Sequence, residues 1–171
     1  MLIRDGIPTA EDLERVTPPA ERFMRGPVAM AECFQEIACN PCTKACPRKA
    51  IRMEPDMNAV PRVDFDACNG CGACILRCPG LAIFVVDASY SETEALVKLP
   101  FEFTPVPKAG ELALCLDRAG RELGYFPVIR TVSGGRLNKT FAVSVAVPKE
   151  LAMEVRNIKP GHFRGGQKDE R

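Results

Sequence analysis

The sequence predicts an α+β fold in two consecutive parts, a small cysteine-rich domain over residues 31–90 and a small antiparallel β barrel over residues 99–158. Three observations predict it. Eight of the nine cysteines fall between positions 33 and 78, in two groups of four that each end in Cys-Pro. From position 111 onward, short alternating apolar runs are separated by glycine- and aspartate-rich turns. With 171 residues and 18.7 kDa, there is room for one ordinary domain or two very small ones. A net charge of +1 gives no field that would attract nucleic acid. No secretory-type start and no run of about 20 apolar residues is present, so export and a transmembrane segment are not expected. The expected location is the cytoplasm, where thiols stay reduced and a disulfide framework is not expected.

The elements follow in order. Residues 1–30 form an N-terminal arm with short helices, which either packs on the next domain or drapes over a partner. Thr9 is a plausible N-cap for a helix with an acidic first turn running to Val16, and Pro18-Pro19 ends it. A second short helix is expected over 20–24, before Gly26-Pro27, and Val28-Ala29-Met30-Ala31 is a small apolar run leading into Cys33. Residues 50–53 and 60–63 are expected to be short strands joined by the turn at 54–58, and residues 81–87 a further strand. In the second part, strands are expected over 111–116, 124–132 and 140–147, with Pro127 marking an edge or a bulge. Phe141, Val143, Val145 and Val147 should face one way. Residues 148–156 suit a closing helix with proline in its first turn. The sum is SH3-like in general appearance, and such a barrel suits docking or scaffolding rather than chemistry. Residues 159–171 are expected to be a flexible tail that leaves His162 solvated.

The chemistry lies in the spacing of the cysteines. The second group is Cys68-x2-Cys71-x2-Cys74-x3-Cys78-Pro79, the run that binds [4Fe–4S] clusters in bacterial ferredoxins. The first group is Cys33-x5-Cys39-x2-Cys42-x3-Cys46-Pro47; its last three cysteines keep the same phase, but Glu36 stands where the regular first cysteine would be. A cubane needs four thiolates at tetrahedral corners, three of them from one tight loop, and Gly70 and Gly72 suit such a loop. Structural zinc uses separated C-x2-C pairs and has no need of the trailing proline. Cys115 lies on a leucine-rich strand and is expected to be a core thiol. The Ser133-Gly134-Gly135-Arg136 turn lacks the strand and helix of a phosphate loop.

Residues 33–87 resemble the bacterial two-[4Fe–4S] ferredoxin family, and the repeats Cys46-Pro47-x-x-Ala50-Ile51 and Cys78-Pro79-x-x-Ala82-Ile83 match its pseudo-twofold pattern. The resemblance implies two [4Fe–4S] clusters with crossed ligands, because the cysteine after x3 ligates the other cluster. One set is Cys33, Cys39, Cys42 and Cys78; the other is Cys68, Cys71, Cys74 and Cys46. Pro41 deletes an amide that could have bonded a sulfur in the first loop, so the two clusters are expected to differ in potential.

Lys44, Arg48, Lys49, Arg52, Arg62 and Arg77 roughly offset Glu36, Glu54, Asp56, Asp64 and Asp66 around these loops, leaving no acidic field of the kind diffusible ferredoxins use for docking. No nucleotide-binding glycine motif is present, and no catalytic residue is assigned. The expected role is that of a non-catalytic electron-transfer subunit in a hetero-oligomeric, flavin-dependent oxidoreductase. It would pass single electrons between flavin-containing dehydrogenase subunits and an external electron acceptor. The order of cysteine motifs followed by a C-terminal barrel resembles small iron–sulfur subunits of flavin-dependent amino-acid (proline- and hydroxyproline-type) or amine dehydrogenases. The alternatives are a free-standing ferredoxin-like carrier and an iron–sulfur redox-sensing module.

Overall fold

A computed structural model describes residues 2–165, with Leu2 and Ile3 as backbone only. Three short helices form the arm: α1 (Leu2–Asp5), α2 (Ala10–Glu14) and α3 (Ala20–Phe23). Thr9 caps α2 as expected, in a reciprocal capping box with Asp12. The apolar run that follows is a strand, β1 (Val28–Ala31), every residue of which is buried. Next come α4 (Pro41–Ala45) and the two-residue strands β2 (Ile51–Arg52) and β3 (Arg62–Val63), paired antiparallel. A 3₁₀ turn, Ile75–Arg77, leads to β4 (Ile83–Asp87).

The remaining strands are β5 (Glu94–Phe101), β6 (Glu111–Leu116), β7 (Glu122–Ser133), β8 (Phe141–Pro148) and β9 (Asn157–Gly165). They join β1 and β4 in one antiparallel sheet of order β1-β4-β5-β8-β7-β6-β9. That order is open, with β1 and β9 at the edges, so among the described residues the expected SH3-like barrel is not closed. The sheet does curl. β7 pairs with β6 up to Pro127 and with β8 from Val128 on, and bulges interrupt the register on both sides. Pro127 cannot donate to a ladder, and it sits where β7 changes partner. The curl brings β9 over β5, where the Phe101 and Phe163 rings meet edge to face at 6.2 Å.

Two further expectations are corrected. Residues 148–156 form only a 3₁₀ turn, Lys149–Leu151, rather than a closing helix. The first part of the expected tail, residues 159–165, belongs to β9 and pairs with β6, although His162 is exposed. Residues 166–171 of that tail lie outside the described residues.

The sheet separates two apolar layers. Met30, Phe84, Val86, Val97, Leu99, Val143, Val145 and Val147 fill one side together with Cys115 and Ile158. Ala29, Ala31, Ile83, Val85 and Ala142 face the other side, where they meet Cys42, Cys74, Ile51 and Ile75. Because successive side chains alternate between faces, β1 and β4 are buried on both, and they read as continuous apolar runs for that reason.

Candidate iron–sulfur centre

The two cysteine groups fold as near-replicas. Cys46 and Cys78 end their helical turns with almost the same backbone angles, φ −78°, ψ 108° and φ −81°, ψ 110°. Three residues on, Lys49 and Leu81 both adopt φ +52°, a left-handed conformation that costs about 1–2 kcal/mol outside glycine. The reversed chain then aims an amide back at each sulfur. Ala50 N–H donates to Cys46 Sγ at 3.3 Å, and Ala82 N–H to Cys78 Sγ at 3.4 Å. The Cys-Pro-x-x-Ala-Ile repeat thus encodes a turn that presents one thiol.

All nine cysteines are free thiols. Burial pushes Cys74 up to about 12, and nearby Cys68, Cys71 and Cys46 push in the same direction. Burial likewise pushes Cys42 up to about 11 and raises Cys33; Cys78 and Cys39 add to both. The thiols within electrostatic reach of one another are Cys74 with Cys46, Cys68 and Cys71, and Cys33 and Cys42 with Cys39 and Cys78; the two groups are called quartets below. Each draws its odd member from the other motif. A small cavity lies among the four thiols of the first quartet, beside Ala29, Ile51 and Gly70. Among the described residues, no three His, Cys, Asp or Glu side chains converge as ligands of a single ion would.

Three amide donors reach the quartet around that cavity. Cys68 Sγ accepts from Ala29 N–H on β1 and from Gly70 N–H, both at 3.4 Å, in addition to the Ala50 bond to Cys46. Gly70 has φ +61°, and a Cβ there would lie 2.5–2.7 Å from Pro27. Four thiols per quartet, with amides aimed at sulfur and no carboxylate or imidazole between them, suit an iron–sulfur cluster. The buried thiols are held neutral in the free chain, and bound iron would displace their protons.

Sequence reasoning missed the residues that hold these loops. Arg22 on α3 is buried; its guanidinium donates to the carbonyl oxygens of Phe65 (2.6 Å), Gly26 (3.0 Å), Pro27 (3.1 Å) and Cys68 (2.7 Å). The arm therefore packs on the cysteine loops. Glu32, next to Cys33, accepts from Arg118 at 2.7 Å and Arg156 at 2.6 Å, and all three side chains are almost fully buried. Lys98 on β5 donates to Gly70 O at 2.7 Å, and the Asn138 amide donates to Leu76 O. A lone arginine or lysine in a surface-like context carries no sequence signal of such contacts. The alternation of β5, with Lys98 on the face opposite Val97 and Leu99, was the one available hint.

Residues 37–82 match the family described as the 4Fe-4S dicluster domain. The chain is 48% identical over 61 residues to the ferredoxin-type protein NapF of Haemophilus influenzae, covering 34% of this chain and 35% of that protein. It is 34% identical over 64 residues to NapF of Escherichia coli K12, covering 36% and 38%. It is 35% identical over 75 residues to one component of the ion-translocating oxidoreductase complex of Methanosarcina acetivorans, covering 43% and 27%. The chain thus spans about a third of the length of the curated relatives it matches. No solved structure matches it. The cysteine half is a ferredoxin-type iron–sulfur domain. No helix among the described residues is long and apolar enough to cross a membrane.

Proposed function

We propose that this chain is an electron-transfer subunit carrying two [4Fe–4S] clusters, one on Cys33, Cys39, Cys42 and Cys78 and the other on Cys46, Cys68, Cys71 and Cys74. The observation that supports it most directly is the small cavity lined by Cys68, Cys71, Cys74 and, from the other motif, Cys46. When bound, each cluster supplies a one-electron site. The chain's own residues hold the sulfurs with amides, keep water from Cys42 and Cys74 with Ile51 and Ile75, and fix the loops through Arg22 and Asn138. In this reading the substrate belongs to a partner.

A complex suits the surface. Ile37 and Met57, 49% and 44% exposed, flank the Cys39 loop, where Cys39 N–H donates to Met57 O. They offer an apolar contact next to one quartet. Flavin-containing dehydrogenase subunits are the partner class that needs such a relay, because a flavin exchanges two electrons with substrate and the clusters pass them singly to an external acceptor. The β5–β9 half would supply the docking scaffold, and the reduced thiols fit the cytoplasm.

Anaerobically purified protein should contain about eight iron and eight sulfide per chain. Cys46→Ser should perturb the same EPR signal as Cys71→Ser, and Cys78→Ser the same signal as Cys42→Ser. About four iron per chain would refute the two-cluster assignment; pairing of Cys46 with Cys42 would refute the crossing. Co-purification at native expression, followed by a flavin assay, tests the partner.

A further inference from the structure

The strand that follows the cysteine domain returns a cation to one of its loops. On β5, Val97 and Leu99 point into the strand-only core, and Lys98 between them emerges on the cysteine side. Its ammonium donates to Gly70 O at 2.7 Å, in the middle of the Cys68–Cys71 loop, and its stem lies beside Gly72. The side chain is half-buried and, among the described residues, makes no ion pair within 4.0 Å, so no described carboxylate in contact cancels its charge. Cys71 and Cys68 lie within its electrostatic reach, as do Asp87 on the adjacent β4 and Arg130 on β7, two strands away. Arg48 also borders this cavity, but it is exposed and therefore screened by water and salt. Among the described residues, no other β5 side chain makes a hydrogen bond to a cysteine loop.

Reduction adds one negative charge to a cluster. A fixed, partly desolvated cation favours the reduced state, and its effect falls off with distance. We propose that Lys98 raises the reduction potential of the Cys46/Cys68/Cys71/Cys74 cluster, and of that cluster alone, through its charge. This rests on the cluster assignment above. It gives the appended sheet a role in setting the energy of electron transfer, and it makes Lys98 a positioning residue for charge rather than a ligand.

The test is an EPR-monitored redox titration of the anaerobic holoprotein with three substitutions. Lys98→Met removes charge and hydrogen bond, Lys98→Gln keeps a donor without charge, and Lys98→Arg keeps the charge. The signal altered by Cys71→Ser identifies the cluster in question. At the ambient potential that half-reduces it in the wild type, Lys98→Met and Lys98→Gln should each lower its reduced-to-oxidised ratio about tenfold, a shift of about 59 mV for one electron. Lys98→Arg should stay within about twofold of wild type, and the second signal should not move in any variant. Overturning results are an unchanged potential in Lys98→Met, full recovery in Lys98→Gln, or equal movement of both signals. Iron content and spin count equal to wild type show that the variants are folded. A wild type without two [4Fe–4S] signals would instead defeat the assignment beneath the proposal.

Discussion

Two glycines in one loop give the sharpest stability test. Gly70 and Gly72 both have positive φ, +61° and +85°, so alanine at either position costs about 1–2 kcal/mol of backbone strain. Their surroundings differ. A Cβ on Gly72 would meet nothing closer than 3.8 Å, at the tips of Ile75 and the Lys98 stem. On Gly70 it would fall 2.5 Å from Pro27 Cβ and 2.6–2.7 Å from the Pro27 carbonyl group. That backbone is fixed by the Arg22 bond to Pro27 O and by the start of β1, so it cannot yield cheaply. Overpacking of this kind adds about 1–3 kcal/mol. Gly70→Ala should therefore cost about 2 kcal/mol more than Gly72→Ala, which in a chain of this size is about 4–8 °C of additional Tm loss. Anaerobic thermal unfolding of the two holoproteins, followed by far-UV circular dichroism, measures the difference. Equal losses would refute the reasoning, because the arm would then not be seated on the loop.

Arg22→Met should destabilise by about 3 kcal/mol in urea unfolding, since carbonyls lose a charged donor at about 1–3 kcal/mol each and water replaces only some of the bonds. Arg22→Lys should recover less than half, because one ammonium cannot reach four carbonyls arranged around a planar fork. Glu32→Gln leaves Arg118 and Arg156 facing each other in the interior and should cost about 3–5 kcal/mol. Burial alone would raise the Glu32 pKa; the two arginines outweigh it and hold the group below 4.5. The wild-type advantage over Glu32→Gln should thus be constant above pH 4.5 and shrink as the pH falls through the lowered value, which a melting series across that range checks. Cys115→Ala should keep full iron content at a cost of about 1–2 kcal/mol, as the thiol sits alone in the strand core, where burial holds it at about 12. Iron analysis together with a thiol-reagent titration of the native protein, in which Cys115 should not react, checks that it is a spare thiol.

The cysteine half was legible because its chemistry is local. Phase and trailing prolines reveal α4 and the 3₁₀ turn, and the turn at 54–58 reveals the β2–β3 pair, since each is set by residues a few positions apart. Thr9 reveals α2 for the same reason. The strands that escape such a reading do so for different reasons. Val28–Ala31 shows no alternation because Met30 enters one layer and Ala29 and Ala31 the other. β5 alternates, but Pro100 and the charged Glu94 and Lys98 hide it. The closed barrel is a topological inference from strand count, and strand count cannot say whether the last edge meets the first; here β1 takes up the edge of β4 instead. β9 reads as tail because Pro160, Gly161 and Gly165 punctuate it, yet Ile158 and Phe163 tie it into the core. Arg22, Glu32 and Lys98 act across 28 to 124 residues of sequence, beyond the reach of any local pattern.

The doubly buried β1–β4 pair has a consequence for inheritance and engineering. A ferredoxin that is a free-standing bead can be cut out, duplicated or grafted. The cysteine half of this chain shares a wall with its neighbour. Ending the chain near residue 90 would strip the cover from Met30, Phe84 and Val86, and extending it with a different sheet would need a matching row of small and branched side chains. The two halves can therefore change only in step, and a transplant must carry both across together.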